Sequence, residues 1–283
     1  MLHQLNNLND ASKEKISRSN VVKFRTSSGS LVTHLISDRT DLLKKFFQRK
    51  DDKPYEAKVV SMKYTKFHKS DQDLIERFGT IAFDKQINIA KVIGDNAWSL
   101  DMVNEKINFG NEIEFSFKIL GSYSRTTNTW LWAWANTAVG HDEKSLLHAN
   151  ELKAYGEEND IEFLKLDSFE AINIDMHLIG LTASGLFKTT GYYIADYGAG
   201  AMVFTIQNDE INKFDDDELG RILTVFNQFI ADFEIDQIRA FKFYLKEKGY
   251  DVVEEKNKII GTKLEKVVSA EFDNKNSRIE IKA

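Results

Sequence analysis

The sequence predicts an α+β protein: an antiparallel β-meander sheet packed with helices, a basic N-terminal ββαβ-like lobe before it, and a helix-then-β-hairpin part at the C-terminal end. Three observations predict this. Between Trp98 and Asn136, apolar and polar residues alternate in short runs separated by polar turns, the pattern of neighbouring antiparallel strands. The segments on either side carry apolar residues at spacings of three, four and seven, which is helical period. Only one proline, Pro54, occurs in 283 residues, which argues against a Pro-rich linker or tail.

Taken in order, residues 1–19 are polar and weakly periodic, a short helix or an arm. Val21–Thr26 and Leu31–Ile36 flank the turn Ser27-Ser28-Gly29-Ser30 and read as a hairpin. Asp38 or Thr40 can cap a helix over Asp41–Arg49, and Ala57–Phe67 alternates as a strand. From Ser70, the residues Leu74, Ile75, Phe78, Ile81, Ala82, Ile89 and Ile93 predict one long helix that stops at Gly94. Strands follow over Trp98–Val103, Ile113–Ile119 and Thr129–Asn136. A helix is expected from Asp142 or Ser145 to Tyr155, closed by Gly156, and another over Phe169–Phe187. Tyr192–Ile194 and Ala201–Ile206 read as strands around the loop Gly198-Ala199-Gly200. Helices are expected from Asp215 through Phe229 and over Asp236–Lys248. Strands Asp251–Glu255, Lys258–Thr262, Lys266–Phe272 and Arg278–Lys282 complete the chain. Three parts result: a basic lobe over 1–70, a tryptophan-rich α+β domain over 71–210, and a helical pair with β-hairpins over 211–283.

Charge is unevenly spread. Residues 1–70 hold 15 Lys and Arg against 7 Asp and Glu, whereas the rest holds 23 against 37. A basic lobe can meet an anionic partner or the acidic body of its own chain. The acidic body repels phosphate, so nucleic acid is not the expected partner. The chain has no cysteine, which removes disulfides, thiol nucleophiles and zinc–thiolate sites together. The N-terminal residues lack the basic and apolar pattern of a secretory signal, and no apolar run approaches membrane-helix length, so a cytoplasmic protein without membrane contact is expected.

The run Thr129-Trp-Leu-Trp-Ala-Trp-Ala-Asn136 predicts a central strand buried on both faces. Alternation puts Trp130, Trp132 and Trp134 on one face, about 7 Å apart, and Leu131, Ala133 and Ala135 on the other. Each buried indole N–H requires an acceptor, with Asp101, Glu114, Asn136 or backbone carbonyls as candidates. Two readings follow: a core ridge that uses tryptophan, or the floor of a ligand pocket.

Phe109-Gly110, Leu120-Gly121-Ser122-Tyr123-Ser124, the string Thr129–Asn136 and Tyr155-Gly156-Glu157 together resemble an uncharacterised bacterial family, a domain of unknown function with the Thr-Trp-Leu-Trp-Ala-Trp-Ala-Asn string as its signature. The resemblance covers about residues 71–210. Thr137-Ala138 replaces the proline-containing turn associated with that family. The resemblance implies no activity and supports the meander with helices.

No familiar catalytic motif is present: no Gly-x-Ser-x-Gly elbow, no phosphate loop, no His-Glu-x-x-His. His141 and His148 are seven apart across a helix start, a weak metal signal, and His177 reads as a hydrogen-bonded core histidine. No metal and no cofactor are expected. The leading expectation is a non-catalytic cytoplasmic protein that binds a protein partner through its acidic body, as immunity or antitoxin-type inhibitors do. The alternative is a small-ligand-binding protein or enzyme. Its pocket would be floored by Trp98, Trp130, Trp132 and Trp134, with Asp101 and Asn136 orienting the ligand.

Overall fold

The computed structural model describes residues 21–25, 31–35, 69–212, 219–272 and 277–282, with side chains over 71–211 and 219–272. The chain divides into two compact units, Met1–Ala57 and Lys58–Ala283. In the first, β1 (Val21–Arg25) and β2 (Leu31–Leu35) pair antiparallel, as the hairpin reading predicts. The expected elements over 1–19, 41–49 and 57–67 and the start of the helix expected from Asp215 lie outside the described residues.

One long strand organises the second unit. Along one edge, β5 (Ile113–Ser124) pairs with β9 (Gly200–Gln207) over its length, and β8 (Gly191–Asp196) extends that side. On the other edge β5 takes two partners in succession. Its first residues pair with β4 (Lys106–Phe109), which carries β3 (Trp98–Asp101). Its last four pair with β6 (Thr129–Trp132), which carries the three-residue β7 (Ser168–Glu170). The antiparallel sheet therefore forks into a β3–β4 arm and a β6–β7 arm.

A bulge separates the two halves of β5. Ile119 faces Phe204 and Gly121 faces Val203, so Leu120 is supernumerary. Strand side chains alternate in direction, and one extra residue inverts the alternation. Before the bulge, Phe115, Phe117 and Ile119 share a face with Phe204 and Tyr193, and Lys118 shares the other with Thr205. After it, Gly121 and Tyr123 join the Thr205 face, and Trp130 and Trp132 follow by register. Helices cover this second face.

The helix expected from Ser70 to Ile93 is present with one widened turn. α1 (Lys69–Leu74) passes through a π turn, Ile75–Gly79, into α2 (Thr80–Ile93). Helical period does not reveal a wide turn, because the apolar face resumes one residue later. The turn buries Glu76, which accepts from Gln72 Nε2 and from the Asp236 amide, both at 2.7 Å, and pairs with Arg239 at 2.9 Å. Further along, the Gln86 carboxamide donates to Tyr192 O at 3.1 Å and accepts from Tyr192 N at 2.9 Å. It thus closes the free edge of β8 as a further strand would.

Two expected helix boundaries move. α3 runs Leu147–Asn159 and ends at Asp160 in the left-handed region, φ 53°, while Gly156 is buried inside it. α4 (Glu162–Lys165) folds back against it. The helix expected over Phe169–Phe187 divides: Phe169 belongs to β7, and α5 (Asn173–Leu186) begins where Asp175 accepts from the Ile172 amide at 2.8 Å. A three-residue edge strand is too short to show alternation.

After α6 (Asp209–Asn212), α7 (Leu219–Asp232) and α8 (Gln237–Glu247) pack on α2. Phe229 meets Phe83 at 5.6 Å and lies over Gly79, where a Cβ would come within 2.5 Å of its ring. Asp84, almost fully buried, takes Arg221 Nε at 2.5 Å, Tyr244 Oη at 2.8 Å and Lys248 Nζ at 3.2 Å, binding all three helices together. Removing one partner of such a buried pair costs about 3–5 kcal/mol. The antiparallel meander β10 (Asp251–Glu255), β11 (Lys258–Lys263), β12 (Lys266–Phe272) and β13 (Ser277–Lys282) follows, with Phe272 against Phe226 and Phe241.

Candidate functional site

The tryptophan string is strand for only half its length. β6 ends at Trp132, and Ala133–Ala135 turn into a 3₁₀ helix closed by a bond from Asn136 N to Ala133 O at 3.2 Å. The expected strand through Asn136 is therefore corrected, and the bulge supplies the reason. Trp132 pairs with Gly121, and the next partner would be Leu120, the residue displaced from the ladder. The arm lies to one side of β5 and β9, which form the centre of the sheet.

This turn divides the expected ridge. Trp130 and Trp132 are fully buried and meet edge to face, with centroids 5.3 Å apart. Trp132 Nε1 donates to Phe163 O of α4 at 3.0 Å. The Trp130 ring crosses Gly121, where a Cβ would collide with both the indole and Leu131 O. Its Nε1 is buried and has no acceptor among the described residues. Trp134 leaves the strand face and lies half-buried beside α3, with Lys153 Nζ 3.8 Å above its ring. Trp134 Nε1 is likewise buried without an acceptor among the described residues.

The remaining expected site residues lie elsewhere. Trp98 is on the β3–β4 arm, on the opposite face of the sheet, against Tyr193 at 6.4 Å. Asp101 closes its own turn, accepting from Val103 N and Asn104 N at 3.0 Å and from Asn104 Nδ2 at 2.7 Å. The Asn104 hydrogen bonds lead in holding this carboxyl below its ordinary value. Asp101 aligns through Lys106 with Ser116, five residues before Gly121, so about 16 Å along β5 separate it from the Trp132 register. Asn136 is half-buried at the end of the 3₁₀ turn. The structure brings Trp130, Trp132, Trp134 and Asn136 to one arm and leaves Trp98 and Asp101 on the other.

A polar constellation of which the sequence flags only His148 occupies the helix-covered face beside the start of α3. Lys118 binds Glu105, whose other oxygen accepts from Ser145 Oγ at 2.5 Å. His148 Nδ1 lies 2.6 Å from Thr205 Oγ1, and the imidazole stacks on Phe187 at 4.3 Å. Burial raises the Glu105 carboxyl, but the bonds from Lys118 and Ser145 outweigh it and the net position is low. Burial, aided by Lys118, brings His148 down to about 4. These groups come from four separate elements, so no spacing in the chain could announce them. His177 is bonded through Nδ1 to Tyr192 Oη at 2.9 Å, and burial brings it to about 4. Among the described residues no three His, Asp or Glu side chains gather as a metal would need, and no helix is long and apolar enough to cross a membrane.

Beyond α3, the surface is acidic. Asp142, Glu143, Glu151, Glu157, Glu158, Asp160, Glu162, Asp167 and Glu170 are all exposed, against three lysines in the same span. Lys165 is held by Asp160 at 2.7 Å and Glu162 at 3.1 Å, and Lys153 is turned onto Trp134.

Both arms of the sheet, the polar constellation and the acidic surface lie within one matched segment. Residues 72–209 match a family of unknown function, DUF6882. The DUF6882 match runs from α1 to the start of α6, and α7, α8 and the β10–β13 meander lie beyond it. No curated protein and no solved structure gives a match.

Proposed function

We propose that this is a non-catalytic cytoplasmic binding protein that engages a basic protein partner through the outer face of α3, α4 and β7, in the manner of an immunity or antitoxin-type inhibitor. The observation that carries the reading is the imbalance of residues 142–170: nine exposed carboxylates, with all three lysines of that span already engaged. Leu147 and Leu166, 45% and 40% exposed, supply apolar contact among the charges. An acidic surface of this kind accelerates encounter with a basic partner more than it slows release.

The test is affinity capture with the full chain, followed by rate measurements on the basic protein recovered. The triple substitution Glu151→Gln, Glu157→Gln, Glu158→Gln is expected to slow association about tenfold at low salt and to leave dissociation nearly unchanged. A partner that associates equally fast with the variant, or the recovery of no basic protein, overturns the reading.

A further inference from the structure

We propose that Trp134 and Lys153 form a carboxylate-binding site, built on the tryptophan string and bordering the acidic face of α3. Three observations converge. Trp134 Nε1 is a buried donor without an acceptor, and a buried unpaired donor costs about 1–3 kcal/mol. Proteins retain few such groups, and an unobserved ligand or ion is a recognised reason. Directly above the same indole, Lys153 Nζ sits 3.8 Å from the ring centroid.

The position of Lys153 is the second pointer. Glu157 lies one helical turn further along α3, the separation at which a lysine and a glutamate ordinarily pair. Among the described residues Lys153 makes no ion pair, and its cation rests on the tryptophan instead. The ammonium over the ring face and the N–H at the ring edge are both donors, and the complement of such a pair is an oxygen anion.

The third pointer is the contrast with Trp132. Its indole N–H, two residues earlier in the same string, is satisfied by Phe163 O at 3.0 Å. The fold supplies an acceptor to Trp132 and none among the described residues to Trp130 or Trp134, and of these two only Trp134 reaches the surface. Exposed Glu151 and Glu157 flank the site on α3 and oppose a bare anion. They favour a carboxylate whose molecule also carries positive charge, such as a free basic amino acid.

The experiment follows the four indole N–H signals of the ¹⁵N-labelled full chain during titration with L-arginine, sodium acetate and agmatine at constant ionic strength. Trp134→Phe assigns the signal. The Trp134 resonance is expected to shift saturably with arginine, more weakly with acetate, and not with agmatine, which lacks the carboxylate. The Trp132 resonance is expected to stay in place. Lys153→Gln, a change at a partly exposed position, should weaken arginine binding about tenfold. No shift at Trp134 with either carboxylate overturns the proposal, as does an equal shift with agmatine. Because the readout is a resonance inside the string, the outcome is separate from that of the docking test on the acidic face.

Discussion

The two arms of the forked sheet solve the same problem in opposite ways. On the β3–β4 arm, apolar and polar side chains go to separate faces and the described charges find partners: Lys106 pairs with Glu114 at 2.9 Å, and Lys118 with Glu105. On the β6–β7 arm, aromatic rings fill the helix-covered face, and two of the three indole N–H groups of the string have no acceptor among the described residues. The bulge at Leu120 divides the two regimes, since it turns the second half of β5 over. The difference teaches where to look for function. The first arm is settled within itself, and the second keeps unspent hydrogen-bonding capacity in its core.

The largest expected effect comes from the junction. Gly121→Val places side-chain atoms where Leu131 O and the Trp130 ring already lie, and the backbone oxygen cannot rotate away. A loss of about 3 kcal/mol is expected, measured as a lower urea midpoint at unchanged slope. Substitution at Ser116, an exposed residue of the other half of β5, should shift the midpoint by no more than about 0.5 kcal/mol. Equal losses at the two positions would show that the halves are not distinct.

A smaller effect separates the indoles. Trp132→Phe and Trp130→Phe remove similar volumes from fully buried positions. Only the first also strands a partner, Phe163 O. Trp132→Phe should therefore cost about 1–2 kcal/mol more than Trp130→Phe. Equal costs would mean that the Trp130 donor is satisfied in solution, and the contrast between the arms would narrow.

These two comparisons also show what the sequence made legible. Alternation along Ile113–Ile119 was readable because charged and apolar residues take turns, and the meander and the C-terminal hairpins followed from the same signal. The end of β6 was not readable: Trp-Leu-Trp-Ala-Trp-Ala continues the alternation past the point where the ladder loses its partner. A bulge resides in the neighbouring strand and leaves no mark on the string itself. For the same reason Trp98 looked equivalent to Trp130, though register places them on opposite faces. The constellation of Glu105, Lys118, Ser145, His148 and Thr205 was illegible because it depends on α3 crossing the sheet, and one-dimensional spacing does not encode that crossing. Lys153 likewise reads as a solvated helix residue until the 3₁₀ turn brings Trp134 beneath it.

The smallest effect concerns pH and the groups that join the arms to their helices. His148 and His177 are both held near 4 by burial, whereas an unfolded chain titrates them near 6.5. A depressed histidine is neutral in the fold at pH values where the unfolded chain already binds a proton. Stability is therefore fully present above about pH 6.5 and is lost as the pH falls toward about 4. Both imidazoles are partly buried and are brought to about the same value, so the two are expected to share the slope. His177→Gln keeps a hydrogen-bonding group near Tyr192 Oη but removes the titration. The variant should start less stable at pH 7.5 and lose less between pH 7 and pH 5 than the parent, as read from urea midpoints along the series. His148→Gln should flatten the profile by a comparable amount. A profile unchanged by either substitution would place the acid sensitivity in the carboxylates instead, and among these Glu105, held low by Lys118 and Ser145, is the group that the β3–β4 arm would then contribute.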